Sequence, residues 1–215
     1  MKNSKTTVKR IAARGHYDKE TIYAVLDAAC ICHLAFVYEG YPVVIPTIYG
    51  REDDYIYFHG SSASRMLKTV DDDISISLSV AMVDGIVLAR SGFHSSLNYR
   101  SVVAFGVAEK VVDTSEKENA LKQITEHIIK DRWEEIRPIN EKELQITDVF
   151  KLKLDEVSAK IRTGEPKDEL ADYKLNIWSG VIPMKTTYME PESDSHSKDL
   201  PVSKAALRLT ERKNK

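Results

Sequence analysis

Two stretches of this 215-residue chain hold side chains whose types and spacing can do chemistry. The first is Tyr55-Ile-Tyr-Phe-His-Gly-Ser-Ser-Ala-Ser-Arg-Met66. Tyr55 to Phe58, aromatic and β-branched after the charged turn Arg51–Asp54, read as a strand. His59 and Gly60 break it, and Ser61, Ser62 and Ser64 then set three hydroxyls ahead of one cation, Arg65. Ser-x-x-Arg before Met66-Leu67 reads as the first turn of a helix, whose free N–H groups and positive dipole end suit a phosphate. A guanidinium fork completes such a cradle. The plainer alternative is a serine helix cap beside a surface arginine. The second stretch is a polar connector carrying His94, Ser95, Ser96, Asn98, Arg100 and Ser101, with Trp178 as a late aromatic surface. Together these groups suit a phosphorylated aromatic cofactor, which would bring its own reactivity and need no catalytic triad from the protein.

Other chemistries find little support. The sequence contains no G-x-S-x-G, H-E-x-x-H, P-loop or G-x-G-x-x-G motif. Its six histidines are scattered, which argues against a histidine-built metal centre. Asp71-Asp72-Asp73 lacks the ligand spacing and glycine turn of a cation loop and reads as a solvated acidic loop. Cys30 and Cys32 have no second pair to finish a zinc site and read as buried, reduced thiols. A net charge of −2 supplies no field for nucleic acid or an acidic membrane. No apolar run has membrane-spanning length, and Met1–Lys5 lacks an apolar signal core, so the expected address is the cytoplasm.

The elements that must position these groups follow from periodicity. Residues 1–15 form a basic arm, 16–189 one domain, and 190–215 a polar, disordered-type tail. Asp18 caps a helix whose apolar face is Ile22, Val25, Leu26 and Ala29. Cys32–Val37 and Pro42–Ile48 flank Glu39-Gly40 as a hairpin, and Pro46 marks an edge, a bulge or a ligand-facing position. Ile74–Val80 alternates as a strand, Asp84-Gly85 reads as a turn, and Gly106 inside the strand 99–112 suggests a bulge or close approach. Ser115 and Glu118 suggest a capping box for a helix with the face Ala120, Leu121, Ile124, His127, Ile128. His127 reads as a packed imidazole. Residues 149–161 read as one strand, and 177–184 as strand-like.

Four blocks carry a family resemblance. They are Arg14-Gly-His-Tyr-Asp18, Gly40-Tyr-Pro-Val-Val-Ile-Pro-Thr-Ile-Tyr-Gly50, the stretch 55–67, and Asn98-Tyr-Arg-Ser-Val-Val-Ala-Phe-Gly106. With Ser158–Gly164 and Trp178–Pro183, they make residues 10–185 resemble the flavin-binding split-barrel relatives of pyridoxamine 5′-phosphate oxidase, on the nitroimidazole-resistance reductase branch. The resemblance implies a mainly β fold: a six-stranded antiparallel Greek-key split β-barrel with flanking helices. It also implies a homodimer with shared FMN sites. Pro46, Thr47 and Ile48 would line the isoalloxazine, with Phe58 and His59 beside the ring and ribityl chain and Gly60 among the cofactor-binding residues. Ser64 and Arg65 would hold the phosphate, within the cradle that also includes Ser61 and Ser62. Arg100 and Ser101 would reach the flavin from the partner chain, and Trp178 would lie near the ring. Val43 and Ile48 stand where the oxidase has cations, and Ser64 replaces the first of its two phosphate-binding cations. These departures point to a reductase of small electrophiles, quinones or nitro compounds, with NADH or NADPH as reductant. A flavin- or haem-binding storage or sensor protein, with His59 or His94 toward iron, is the competing class. A deazaflavin reductase on the same barrel would want a Lys/Arg-rich groove for its cofactor's tail, which the sequence lacks.

Overall fold

A computed structural model of the chain describes residues 3–61 and 75–211. After the two-residue strand β1 (Gly15–His16), Asp18 starts helix α1 (Lys19–Asp27), its carboxylate accepting from the Thr21 N–H at 2.8 Å. The helix buries Ile22, Val25 and Leu26, three or four residues apart on one face. β2 (Ile31–Tyr38) and β3 (Tyr41–Glu52) form the expected hairpin. Its two-residue turn requires positive φ at both positions, and Glu39 and Gly40 adopt 48° and 81°. β4 (Tyr55–Ser61) pairs with the end of β3, and β5 (Ser75–Leu88) returns to lie against β2. The spatial order β5-β2-β3-β4 is a Greek key.

β6 (Ser96–Val107) continues the sheet beyond β5. The short β7 (Glu109–Lys110) leads to helix α2 (Thr114–Ile128), and the short helix α3 (Glu141–Ile146) leads to β8 (Thr147–Lys153). β8 covers β4, and β9 (Glu156–Arg162) covers β6. The expected antiparallel Greek-key split barrel is therefore present. Among the described residues it has ten strands rather than six, partly because 149–161 is two strands and partly because β1, β7 and β10 (Gly180–Pro183) lie at its margins.

Three local expectations change. Asp84-Gly85 is not a turn: β5 runs through it with a register shift between Val83 and Gly85, so the dipeptide makes a bulge. The cap of α2 is Asp113, which accepts from Glu116 N–H at 2.8 Å and so places the helix start before the Ser115–Glu118 pair. Cys30 precedes β2 and is exposed, so only Cys32 is a core thiol.

Burial falls in two layers. The barrel interior holds Leu34, Tyr49, Ile56, Phe58, Leu78, Val102, Phe150 and Leu152, with Phe58 and Phe150 stacked at 5.9 Å. A second, smaller core lies outside the barrel, where Ala120, Leu121 and Ile124 of α2 pack over Tyr57 and Val149. α2 sits close because residue 50 is glycine: a Cβ there would meet backbone atoms of Gln123 and Ile124 at 2.6 Å. Within the segment 190–215, helix α4 (Lys204–Glu211) buries Ala205, and Glu135 accepts from the Ala205 N–H at 3.1 Å.

Candidate functional site

The site begins where the sheet splits. β3 serves two partners: Tyr41–Ile48 pair with β2, and Tyr49–Glu52 pair with β4 as well. On the other side of the split, His59, Gly60 and Ser61 of β4 pair with Val149, Asp148 and Thr147 of β8. Up to Ile48, the edge of β3 facing away from β2 thus has no strand partner among the described residues. Such an edge offers backbone donors and acceptors to a flat heterocycle. Pro46 fits this edge because it has no N–H to give a ladder, and it is exposed opposite His33. Thr47 and Ile48 are half-buried beside it.

Strand alternation separates the two residues that follow the split on β4. Phe58 turns into the barrel core and is fully buried, so any part for it beside a ligand runs through its backbone. His59 points the other way, toward α2. There it lines a cavity of about 300 Å³ with Ile48, Leu121, Ile124, Ile128, Ile129, Trp133 and Ile139, and with Arg132 as its one cation among the described residues. The volume is at the lower end for small-molecule sites. His59 Nδ1 is buried without a hydrogen-bond partner, and burial holds its imidazole below the ordinary histidine range. A buried polar atom left unpaired costs free energy unless something in the cavity meets it.

The cavity wall is held from outside. The Glu126 carboxylate accepts from the backbone N–H of Asp131 at 2.6 Å and of Trp133 at 2.8 Å. Asp131 has φ 64°, and this strapped turn brings Arg132 and Trp133 over the cavity.

The other expected site residues lie elsewhere. Arg100 is engaged by Asp84 through two hydrogen bonds, at 2.9 and 2.7 Å, and Ser101 Oγ donates to the Lys160 carbonyl at 3.1 Å. His94 Nε2 lies 3.5 Å from Glu169, and Asn98 donates to the Gly164 carbonyl at 3.1 Å and accepts from Arg162. Trp178 is exposed near β10. Ser61 ends β4, while Ser62, Ser64 and Arg65, with Asp71–Asp73, lie outside the described residues. Within one chain, the split with its cavity and the 94–101 connector are therefore separate regions. Sequence reasoning missed Trp133, Ile139 and the α2 residues as cavity wall, because an apolar helix face reads equally well as core.

A family model described as pyridoxamine 5′-phosphate oxidase matches residues 18–161. The chain belongs to that family. Among solved structures, it is similar to the flavocytochrome Anf3 from Azotobacter vinelandii, at 38% identity over 96% of this chain and 97% of that one, with a TM-score of 0.91. It is also similar to the FAD and heme binding protein from Mycobacterium smegmatis, at 31% identity over 92% and 97%, with a TM-score of 0.88. A structure described as a 5-nitroimidazole antibiotic resistance protein from Bacteroides thetaiotaomicron matches at 23% identity over 68% and 86%, with a TM-score of 0.59, and shares the fold. A search of the curated proteins found no match.

Of the groups those names carry, the flavin is the one that the residues at the split suit. The unpartnered edge of β3 suits the polar rim of an isoalloxazine. The apolar cavity holds an unpaired imidazole nitrogen, but its volume of about 300 Å³ is small for a haem. Among the described residues, no group of three or more His, Cys, Asp or Glu could hold a bare metal ion, and no helix is long and apolar enough to cross a membrane.

Proposed function

We propose that this protein is a redox protein that binds a flavin in the β3/β4 split and also binds haem. The observation that carries the reading is the near full-length likeness, at 38% identity, to a flavocytochrome. When bound, the flavin would supply two-electron and the haem one-electron chemistry. The chain's own part is to hold both: Thr47 and Ile48 present backbone at the open edge, and the barrel core behind Phe58 keeps that edge rigid. Ser61, Ser62, Ser64 and Arg65 anchor the ribityl phosphate, a group that FMN and FAD share, so the cradle serves either flavin. FMN is the reading from the sequence motif; FAD is in the mycobacterial relative's name.

A second copy of the chain completes the assembly in this reading. Val37, Tyr41 and Val44 are large, apolar and exposed at the tip and outer face of the β2–β3 hairpin, which supports burial against a partner. Reduction of quinones or nitro compounds by NADH or NADPH is the reaction proposed for the flavin.

The test is composition. Protein purified from cells supplied with a haem precursor is expected to release a flavin, identified as FMN or FAD by mass, and haem, quantified as its pyridine complex. Release of neither, with no binding on adding FMN, FAD or hemin, overturns the reading. An NADH- and NADPH-dependent assay with a quinone and a nitroaromatic then tests turnover; no rate with either reductant leaves a binding protein without reductase activity.

A further inference from the structure

We propose that the C-terminal helix α4 is a detachable latch that governs opening of the cavity beneath α2. This deepens the proposed function by naming how a small molecule gains the space beside the open edge of β3, which Ile48 borders on both sides. Three observations carry it. First, one wall of the cavity belongs to a short turn and not to the barrel: Ile129, Arg132 and Trp133 line it, and all three follow the end of α2 at Ile128. Second, α4 is fastened to that turn. The Glu135 carboxylate accepts from the Ala205 N–H at 3.1 Å, from Ser203 Oγ, and from Arg132 at 3.2 Å. One carboxylate therefore holds the first turn of α4, where the helix dipole is positive, and a residue of the cavity wall. Arg208 pairs with Asp131 at 3.2 Å, and a gap of only about 30 Å³ lies between Ala205 and Leu209 of α4 and Ile129 of the turn.

Third, α4 hangs on a loose tether. It buries Ala205 alone, and from Met184 to Val202 every residue is exposed except the half-buried Pro191 and Ser197. A segment with so little burial detaches at a small fraction of the cost of global unfolding. The Glu126 carboxylate holds the backbone N–H groups of Asp131 and Trp133 without any help from α4. Undocking of α4 thus loosens the cavity wall and leaves the turn and the barrel in place.

The experiment times the opening with a thiol. In the full-length chain, Cys30→Ser removes the exposed cysteine and Ile124→Cys puts a thiol on the cavity wall, where Ile124 is 2% exposed. Cys32 stays silent, because burial pushes its thiol up to about 12. The probe is 4,4′-dithiodipyridine, a small neutral aromatic disulfide, and its reaction is followed by absorbance. Ala205→Glu, which sets a carboxylate against Glu135 at the buried position of α4, is expected to speed labelling about tenfold, the worth of one charge-assisted bond. Glu135→Gln is expected to speed it by less, and it carries the same comparison if Ala205→Glu does not fold. Arg208→Ala, at an exposed ion pair, is expected to have the smallest effect. The urea midpoint of each variant is expected to stay with that of its parent.

Equal labelling rates in the parent, Ala205→Glu and Glu135→Gln overturn the latch. So does a urea midpoint that falls in step with the faster labelling, which would make α4 an ordinary part of the fold. The assay needs neither a cofactor nor turnover. Failure here therefore leaves the proposed function standing, and failure to bind any cofactor leaves the latch standing.

Discussion

Two hollows flank helix α2, and the larger one carries less. On one side lies a polar cleft of about 680 Å³, with Asp27, Arg51, Glu126, His127, Lys185 and Tyr188 on its walls. On the other lies the apolar cavity of about 300 Å³ with His59. Each contains a histidine whose imidazole burial holds below its ordinary range. In the larger cleft several polar groups are engaged: Arg51 is gripped by Asp27 at 2.6 Å, Glu126 straps the 131–133 turn, and His127 meets Ala29. Of the two, the smaller one holds a buried polar atom without a partner among the described residues, His59 Nδ1; the other such atom, Arg90 Nε, lines neither hollow. Volume and charge therefore do not mark the candidate site; an unmet bonding requirement inside a cavity does.

The contrast can be broken most sharply at the helix the two hollows share. Gly50→Ala is expected to push α2 off the barrel, because its new Cβ would overlap helix backbone that cannot rotate aside. The expected loss is about 3 kcal/mol, the upper end for overpacking, read from the midpoint of a urea transition. A midpoint equal to wild type would mean that α2 is not seated as described, and both hollows would lose their shared wall.

His127→Leu is the next largest. It removes the bond to the Ala29 carbonyl and the ring contact with Tyr49 at 4.5 Å. An expected destabilisation of about 2 kcal/mol follows, by the same measurement. No change would place His127 on the same footing as His59 and dissolve the contrast.

The sign of the pH dependence follows from His127. Its folded imidazole titrates below the unfolded value, mainly through burial, with Arg51 acting in the same direction and the Ala29 bond and Asp27 against it. The unfolded chain therefore takes up the proton first as pH falls. The stabilising contribution is complete above the unfolded value of about 6.5 and declines as pH drops through it toward the folded value. The slope of apo-protein stability between about pH 7 and 5 is expected to be shallower in His127→Leu than in wild type; an equal slope would remove His127 from the account.

The smallest effect is expected at His59. Without a ligand, His59→Leu removes a buried atom that nothing satisfies, so apo stability should stay level or rise by up to about 1 kcal/mol. A clear loss in the ligand-free protein would mean that the imidazole is used by the fold after all, making the two hollows alike.

What could be read in the sequence, and what could not, divides along the same line. The β2–β3 hairpin was legible because Glu39-Gly40 is a local turn signal, and α1 because Asp18 and its apolar spacing lie within ten residues. The family resemblance was legible because contiguous blocks carry it, and residues 46–48 and 58–60 of those blocks lie at the split. Asp84-Gly85 favours a turn in isolation, but pairing with β6 on both sides of it overrides that and makes a bulge. The cavity under α2 could not be read at all. Its wall joins residues 48, 59, 121–133, 139 and 147, and the lack of a partner for one nitrogen is a property of the assembled fold. Isoleucines at helical spacing announce burial without saying against what.

The β8–β9 hairpin has a consequence for how the chain comes together. It sits between two strands formed far earlier, pairing Tyr55 with Lys153 on one flank and Tyr99 with Arg162 on the other. Until residues 147–162 leave the ribosome, β4 and β6 both present raw ladder edges. Such long-range closure is slow, and open edges invite pairing with other chains. A nascent chain stalled before Thr147 would leave both edges open and is the form expected to aggregate.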